Sequence, residues 1–335
     1  MNPISPLFTV TMDMLGKICP LAIGCLVSVA TSPVAASCGA AFCVVNTDWS
    51  AQGAWTEAGG RVDLRYEYID LDQPRQGSRR IGVGEVTRHH DEIRTRNHNW
   101  VAALDWNIGP RWGVTLTVPY VEREHSHIHN HAGERIFDAW HFRGLGDVRI
   151  QGRYDIASTT AADTAASRVW GITLGMKLPT GKHDVGNAQS GQAERTLQPG
   201  TGTTDALVGA FWHGSAPLDG WSWFARAQAS LPANSEDGYK PGRQLQMDAG
   251  IRHAVSPALA LMLQANYIAK GRDSGANAEP ADSGQRGLFV SPGASFNVSR
   301  SAQVYAFVQV PIRQSVNGVQ LTADWSALAG VSLRY

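Results

Sequence analysis

From residue 61 onward, apolar and polar residues alternate along the chain with a period of two. In 61–68, Val62, Leu64, Tyr66 and Tyr68 share one parity, and Arg61, Asp63, Arg65 and Glu67 share the other. Successive side chains of a strand point to opposite faces, so each such segment has one apolar and one polar wall. The same pattern recurs in 99–108 (Trp100, Ala102, Leu104, Trp106, Ile108), 112–120, 147–156 and 170–178. It recurs again in 204–214, 221–231, 243–253, 258–269, 286–297 and 302–313. The last segment, 324–335, sets Trp325, Ala327, Ala329, Val331, Leu333 and Tyr335 against Asp324, Ser326, Ser332 and Arg334. No segment shows a helical period. About ten residues is the length a tilted strand needs to cross a bilayer.

The connections between these segments alternate in length. Those at 72–93, 125–142, 180–203, 232–242, 271–285 and 314–323 are long. The intervening ones, 109–111, 215–220, 255–257 and 298–301, are short, with 157–167 the exception. Long outer loops and short periplasmic turns are the asymmetry of bacterial outer-membrane barrels. Trp100, Trp106, Trp112, Tyr120, Trp170, Trp221 and Trp223 lie near segment ends, where interfacial girdles belong. The expected fold is therefore all-β: a single closed antiparallel transmembrane β-barrel of about twelve strands over 60–335, in the outer membrane of a Gram-negative bacterium. Its partners would be outer-membrane lipid, a small-molecule or ion solute, and the barrel-assembly machinery through the C-terminal strand.

Composition narrows the setting. The 335 residues include 35 Gly and 11 Trp, 17% are charged, and the formal net charge is zero, which gives no basic excess for nucleic acid. Residues 1–36 read as a signal peptide: Lys17 precedes an apolar run over 18–30, and Val34-Ala35-Ala36 offers small residues for cleavage. Met14 is a more natural start than Met1. Beyond 36 no apolar stretch approaches the ~18–20 residues of a spanning helix. Cys19 and Cys25 would leave with the signal. Cys38 and Cys43, in the extension 37–59, are expected to form a disulfide in an oxidising compartment; a thiol redox pair and a soft-metal site are the rival readings, and a lipoprotein would need Cys38 as its acylated residue. The extension also holds Trp49 and Trp55 and could plug the lumen or dock in the periplasm; the sequence leaves both open.

Three short motifs carry a resemblance. Gly144-Leu-Gly-Asp-Val148, Lys177-Leu-Pro-Thr-Gly181 and Pro199-Gly-Thr-Gly202 stand in the order and spacing of an outer-membrane family named for the meta-pathway of phenol degradation. Over roughly 55–335 the chain resembles that family. The resemblance implies a barrel that passes small molecules, including apolar or aromatic solutes, and it supplies no ligand residues. The histidine-rich segment and the Cys38/Cys43 pair depart from the family pattern.

Parity assigns the inward faces. Arg61, Asp63, Arg65, Glu67, Asp105, Asp147, Arg149, Arg153, Asp155, Asp248, Arg252 and Arg334 would form a charged lumen wall. Phe211, Phe224, Phe289, Tyr305 and Phe307 would form an aromatic one. Opposed charges would orient a polar solute and the aromatics would give an apolar track; alternatively the charges pair and fill the barrel. A second feature is His125-Ser-His-Ile-His-Asn-His131, read as an outer loop. With His89 and His90 from the preceding loop, His125, His127, His129 and His131 could bind Zn, Cu or Ni at the mouth, giving the alternative of cation capture or export. A third class is a structural or adhesive barrel. No Gly-x-Ser-x-Gly elbow or paired catalytic carboxylates appear, so no enzyme and no resident cofactor are expected.

Overall fold

The computed structural model describes residues 45–55, 57–86, 90–109, 111–131, 134–160, 166–186, 191–216 and 219–335. The export signal, Cys38, Cys43 and His89 lie outside the described residues. The strands are β1 (Gly59–Gln76), β2 (Arg79–Arg80), β3 (Asp91–Asn107), β4 (Trp112–His131), β5 (Glu134–Leu145), β6 (Arg149–Thr160) and β7 (Ser167–Lys177). They continue with β8 (Asp205–Ala216), β9 (Trp221–Pro232), β10 (Gln244–Ala254), β11 (Leu259–Lys270), β12 (Gln285–Asn297), β13 (Ala302–Val316) and β14 (Val319–Arg334).

All strands but the short β2 and the outlying β5 form one closed antiparallel barrel of twelve, each paired with its neighbours in sequence order. The ring closes where β1 meets β14, in register from Arg61↔Arg334 to Gln76↔Val319 with irregularities around Leu71. Closure matters because hydrocarbon offers no partner to an unpaired strand edge. Among the described residues no helix is long and apolar enough to cross a membrane. The outer surface carries the apolar parity: Leu64, Leu104, Trp106, Trp112, Leu174, Leu263, Val308, Trp325 and Leu333 are all exposed. A bilayer would cover that belt, and the alternate parity is buried inward.

The strands outrun the apolar pattern on the outer side. β4 continues to His131 and pairs with β5 from Tyr120↔Leu145 to His131↔Glu134, so the histidine-rich segment is a strand, not a loop. Above the membrane both faces are polar, so alternation vanishes although the ladder continues. The connection expected at 314–323 is likewise a tight Asn317-Gly318 turn, with Gly318 at φ 57, between β13 and β14. Next to β4, β5 takes the upper half and β6 the lower, from Trp112↔Tyr154 to Thr117↔Arg149. The two are one interrupted strand with a break at 146–148, which places Asp147 in the break rather than within a strand.

Leu263 lies mid-height on the lipid face of β11, opposite Ile251 and Pro292. Leu263→Arg is expected to lower the unfolding free energy in lipid vesicles by about 2–4 kcal/mol. An unchanged urea midpoint would mean that this face does not meet hydrocarbon.

Candidate functional site

The lumen is entered from below by the chain's own N-terminal segment. Residues 45–55 fold back into the barrel: Trp49 is 1% exposed and packs with Val45, Met262, Tyr305, Phe307 and Leu328. Its indole meets the Tyr305 ring edge-on at 4.9 Å and donates from Nε1 to Asp63 at 3.4 Å. The backbone of Asn46 is clasped on both sides by Gln264, whose Oε1 accepts from N at 3.1 Å and whose Nε2 donates to O at 3.0 Å. Arg226 pairs with Asp48 at 3.1 Å, and Arg65 donates to Thr47 at 3.0 Å. Of the two fates open to the extension, the described part takes the lumen.

Most of the charged wall is spent on this closure. Arg61 lies 3.4 Å from Asp63 and 3.8 Å from Asp105, with the rings of Trp49 and Trp55 over its guanidinium. Asp63 also accepts from Tyr305 at 2.8 Å and from Ser332. Arg153 pairs with Asp155 and donates to Asn107, Arg65 pairs with Glu67 at 2.7 Å, and Asp248 accepts from Asn266 at 2.9 Å. Arg252 and Arg334 face a vestibule at the periplasmic end, where Arg334 reaches the carbonyl of Ala54 at 3.4 Å. Ion pairing within the wall, rather than a free transverse field, is the dominant arrangement.

The aromatic residues do not form an open track either. Phe211, Phe224, Tyr305 and Phe307 each lie over the glycine directly opposite on a neighbouring strand: Gly171, Gly250, Gly330 and Gly293. Phe289 covers Gly287 on its own strand. A Cβ at any of these glycines would overlap the ring, so glycine is what lets a large ring lie flat on the wall. The flattened rings of Tyr305 and Phe307 then seat Trp49, and Phe211 packs on Ala51.

The outer side is narrowed by the connection between β7 and β8. Its two family-like motifs meet the third, at the break between β5 and β6: a Cβ at Gly181 would collide with Gly146 and Gly200. Asp147 accepts from the Gly181 amide at 3.1 Å, and from the Thr201 amide at 2.9 Å and hydroxyl at 2.8 Å. Lys177 bridges Asp147 (3.4 Å) and Asp205 (3.0 Å). From this knot the connection turns inward. Leu197, wholly buried, packs with Ala193 against Ile69, Leu71, Trp140, Phe142, Leu321 and Ala323. Arg123 holds the carbonyls of Thr196 and Leu197 and reaches Asn97 at 2.5 Å. Arg195 lies over Tyr239, whose hydroxyl donates to Asp273 at 3.0 Å and is pushed up by burial and that carboxylate. The sequence signal for this fold was faint: Val185, Ala188, Ala193 and Leu197 are scattered apolar residues within a polar stretch.

A chamber of about 230 Å³ lies against the connection between β7 and β8. The charged side chains of Arg65, Glu67, Arg149, Lys177 and Asp205 line it together with Val101, Pro119, Val121 and Pro199. Arg149 is exposed within it and makes no direct hydrogen bond or ion pair with a described residue.

The histidines gather at the top of β3 and β4. His125 and His127 are each 2% exposed and Glu92 1%, while the rings of His90 and His129 lie nearby, tilted to each other at 49° with centres 3.9 Å apart. His125 and His127 therefore stand on the inner wall rather than in a solvated loop; the side chain of His131 is outside the described residues. Glu279, from the connection after β11, faces this group; burial and the carboxylates of Glu92, Asp282 and Asp273 push its pKa up to about 9.

The family model described as "Putative MetA-pathway of phenol degradation" matches residues 92–323. No curated protein matches the sequence. Among solved structures, an outer membrane channel from Pseudomonas putida F1 is similar with a TM-score of 0.63 at 12% identity, covering 87% of this chain and 100% of that one. The NanC porin (TM-score 0.44, 9% identity, 82% and 100% covered) and the P. putida toluene transporter TodX (0.39, 8%, 85% and 92%) are more distant. The first similarity establishes a shared fold.

Trp49→Ala removes the side chain that seats the N-terminal segment, and is expected to cost about 3–5 kcal/mol of its docking. Hydrogen exchange of the amides of 46–54 should then rise to that of a free peptide while the barrel stays protected. Unchanged protection would show that Trp49 does not hold the segment.

Proposed function

Because the chain belongs to the family of the MetA-pathway of phenol degradation, we propose that it is an outer-membrane channel for small organic molecules, metered by two segments folded into its lumen. The observation that carries this reading is the chamber against the connection between β7 and β8. Its volume of about 230 Å³ suits a single ring with a substituent. Val101, Val121 and the two prolines offer an apolar wall to the ring, and Arg149 offers an uncommitted guanidinium to a polar or anionic substituent. A charge-assisted hydrogen bond of that kind is worth about 1.5–3 kcal/mol. The similarity to channel structures supports passage rather than chemistry, and the reading includes no catalytic step.

The same reading includes export. The signal 1–36 is cleaved before Ser37, Cys38 and Cys43 form a disulfide, and the closing strand β14 is what the assembly machinery engages. The intact mass of protein from outer membranes should match a chain starting at Ser37 and lighter by a pair of hydrogens than its reduced form. A mass that retains the leader, or one carrying acyl chains, contradicts this.

In proteoliposomes, Arg149→Gln is expected to slow uptake of benzoate roughly tenfold, the loss of one charge-assisted contact. Uptake of the neutral ring toluene should stay near the parent rate. Equal effects on both probes, or none on either, would remove Arg149 and its chamber from the route.

A further inference from the structure

Beyond the channel itself, we infer that the top of the β3–β4 wall is a binding site for a divalent late first-row transition-metal ion, held by Glu92, His125 and His127 with His90 and His129 alongside. Two triads, Glu92/His125/His127 and His90/His127/His129, each bring one ligand atom per residue within 4.8 Å of one another, and they share His127. Strand geometry produces the cluster. His125, His127 and His129 sit two residues apart on one face of β4, and the irregularity between Glu92 and Arg94 turns Glu92 toward them.

The donors converge as ligands do. His125 Nε2 lies 3.0 Å from His127 Nδ1 and 3.6 Å from Glu92 Oε2. Ligands of one tetrahedral ion bound at about 2.0–2.1 Å stand roughly 3.3 Å apart. On the far side of the ring, His125 Nδ1 is 2.9 Å from Thr95 Oγ1. With the proton on Nδ1, donated to the hydroxyl, Nε2 presents its lone pair to Glu92 and His127; fixing a tautomer in this way is the usual work of a residue behind a ligand. The Trp140 ring lies 4.8 Å from that of His127 and 5.6 Å from that of His125, limiting their rotation.

Burial sharpens the point. His127 Nε2 is enclosed and has no hydrogen-bond partner, in a side chain 2% exposed. A buried imidazole nitrogen without a partner is costly, and since Nδ1 is the atom beside His125, an ion bound through Nε2 would belong with His90 and His129, the other triad that His127 completes. The nearby cation, Arg123, points at Asn97 and the carbonyls of Thr196 and Leu197. Imidazoles with one carboxylate suit Zn, Cu or Ni, whereas Ca or Mg prefers an all-oxygen shell. An ion here would tie β3 to the tall β4–β5 hairpin at the outer mouth.

The test uses full-length protein in detergent, stripped with EDTA and titrated calorimetrically with ZnCl₂ and CuCl₂. One ion per chain is expected, with no binding of CaCl₂. His125→Ala, His127→Ala and Glu92→Gln should each weaken binding at least ~10-fold, and Thr95→Val, which touches no metal, by about 10-fold. His141→Ala, at an exposed pair with Glu122, should leave affinity unchanged. Heat-modifiable migration in gels confirms that each variant is folded. If a histidine variant fails to fold, Co²⁺ added to the parent protein reads the site directly: intense visible bands of a four-coordinate ion support it, and the pale aqua-ion spectrum overturns it. Affinity no better than that of a peptide spanning 125–131, or binding that survives the His125/His127 double variant, also overturns it.

Discussion

A strand in hydrocarbon can send its amides and carbonyls only to another strand, and everything else in this molecule follows from how that demand is met. The antiparallel ladder runs unbroken around the wall and closes between β1 and β14, from Arg61↔Arg334 upward. Once the ring is closed, period-two geometry divides the side chains. One parity faces lipid and must be apolar; the other faces a narrow interior, where polar groups have to find partners because little water fits beside them. The inward residues satisfy that requirement through pairs such as Arg153–Asp155 and Arg65–Glu67, and through neutral chains such as Gln309, Ser291 and Asn266.

What fills the middle is the chain itself. The segment 45–55 brings Trp49 onto a surface flattened by aromatic rings laid over glycines, and brings Asp48 and Asn46 to Arg226 and Gln264. From the other side, Asp147 collects amides from both ends of the connection between β7 and β8, so that the Gly146, Gly181 and Gly200 backbones touch and that connection dips inward. The motifs that resemble the family are thus a structural knot above the chamber. Motif residues Asp147, Lys177 and Pro199 line that chamber together with Arg149, which stands outside the motifs.

The wall was legible in the sequence because lipid imposes a strict alternation. Val62, Leu64, Leu104 and Leu333 lie on the parity that the pattern assigned outward, and the strand number follows from counting such segments. Alternation stops where lipid stops. Hence the upper ends of β4, β5, β13 and β14 looked like loops, although β4 still pairs with β5, β13 with β12 and β14 with β1 there. The two inward segments were illegible for a different reason: neither has a period, and their burial depends on partners far away in sequence, such as Gln264 for Asn46 and Arg123 for Leu197. The histidine face of β4 was legible as chemistry. Its partner Glu92 and the orienting Thr95 became visible only through the register of β3 on β4.

The central claim is that this barrel is closed by its own chain, and single-channel recording in planar bilayers tests it most directly. Deleting 45–55 from the purified protein should convert a barely conducting barrel into one with a steady, well-resolved open level. The segment supplied in trans as a synthetic peptide should reduce that current. If the deleted and intact proteins conduct alike, the N-terminal segment does not occupy the lumen in the membrane, and the account of a self-plugged channel is contradicted.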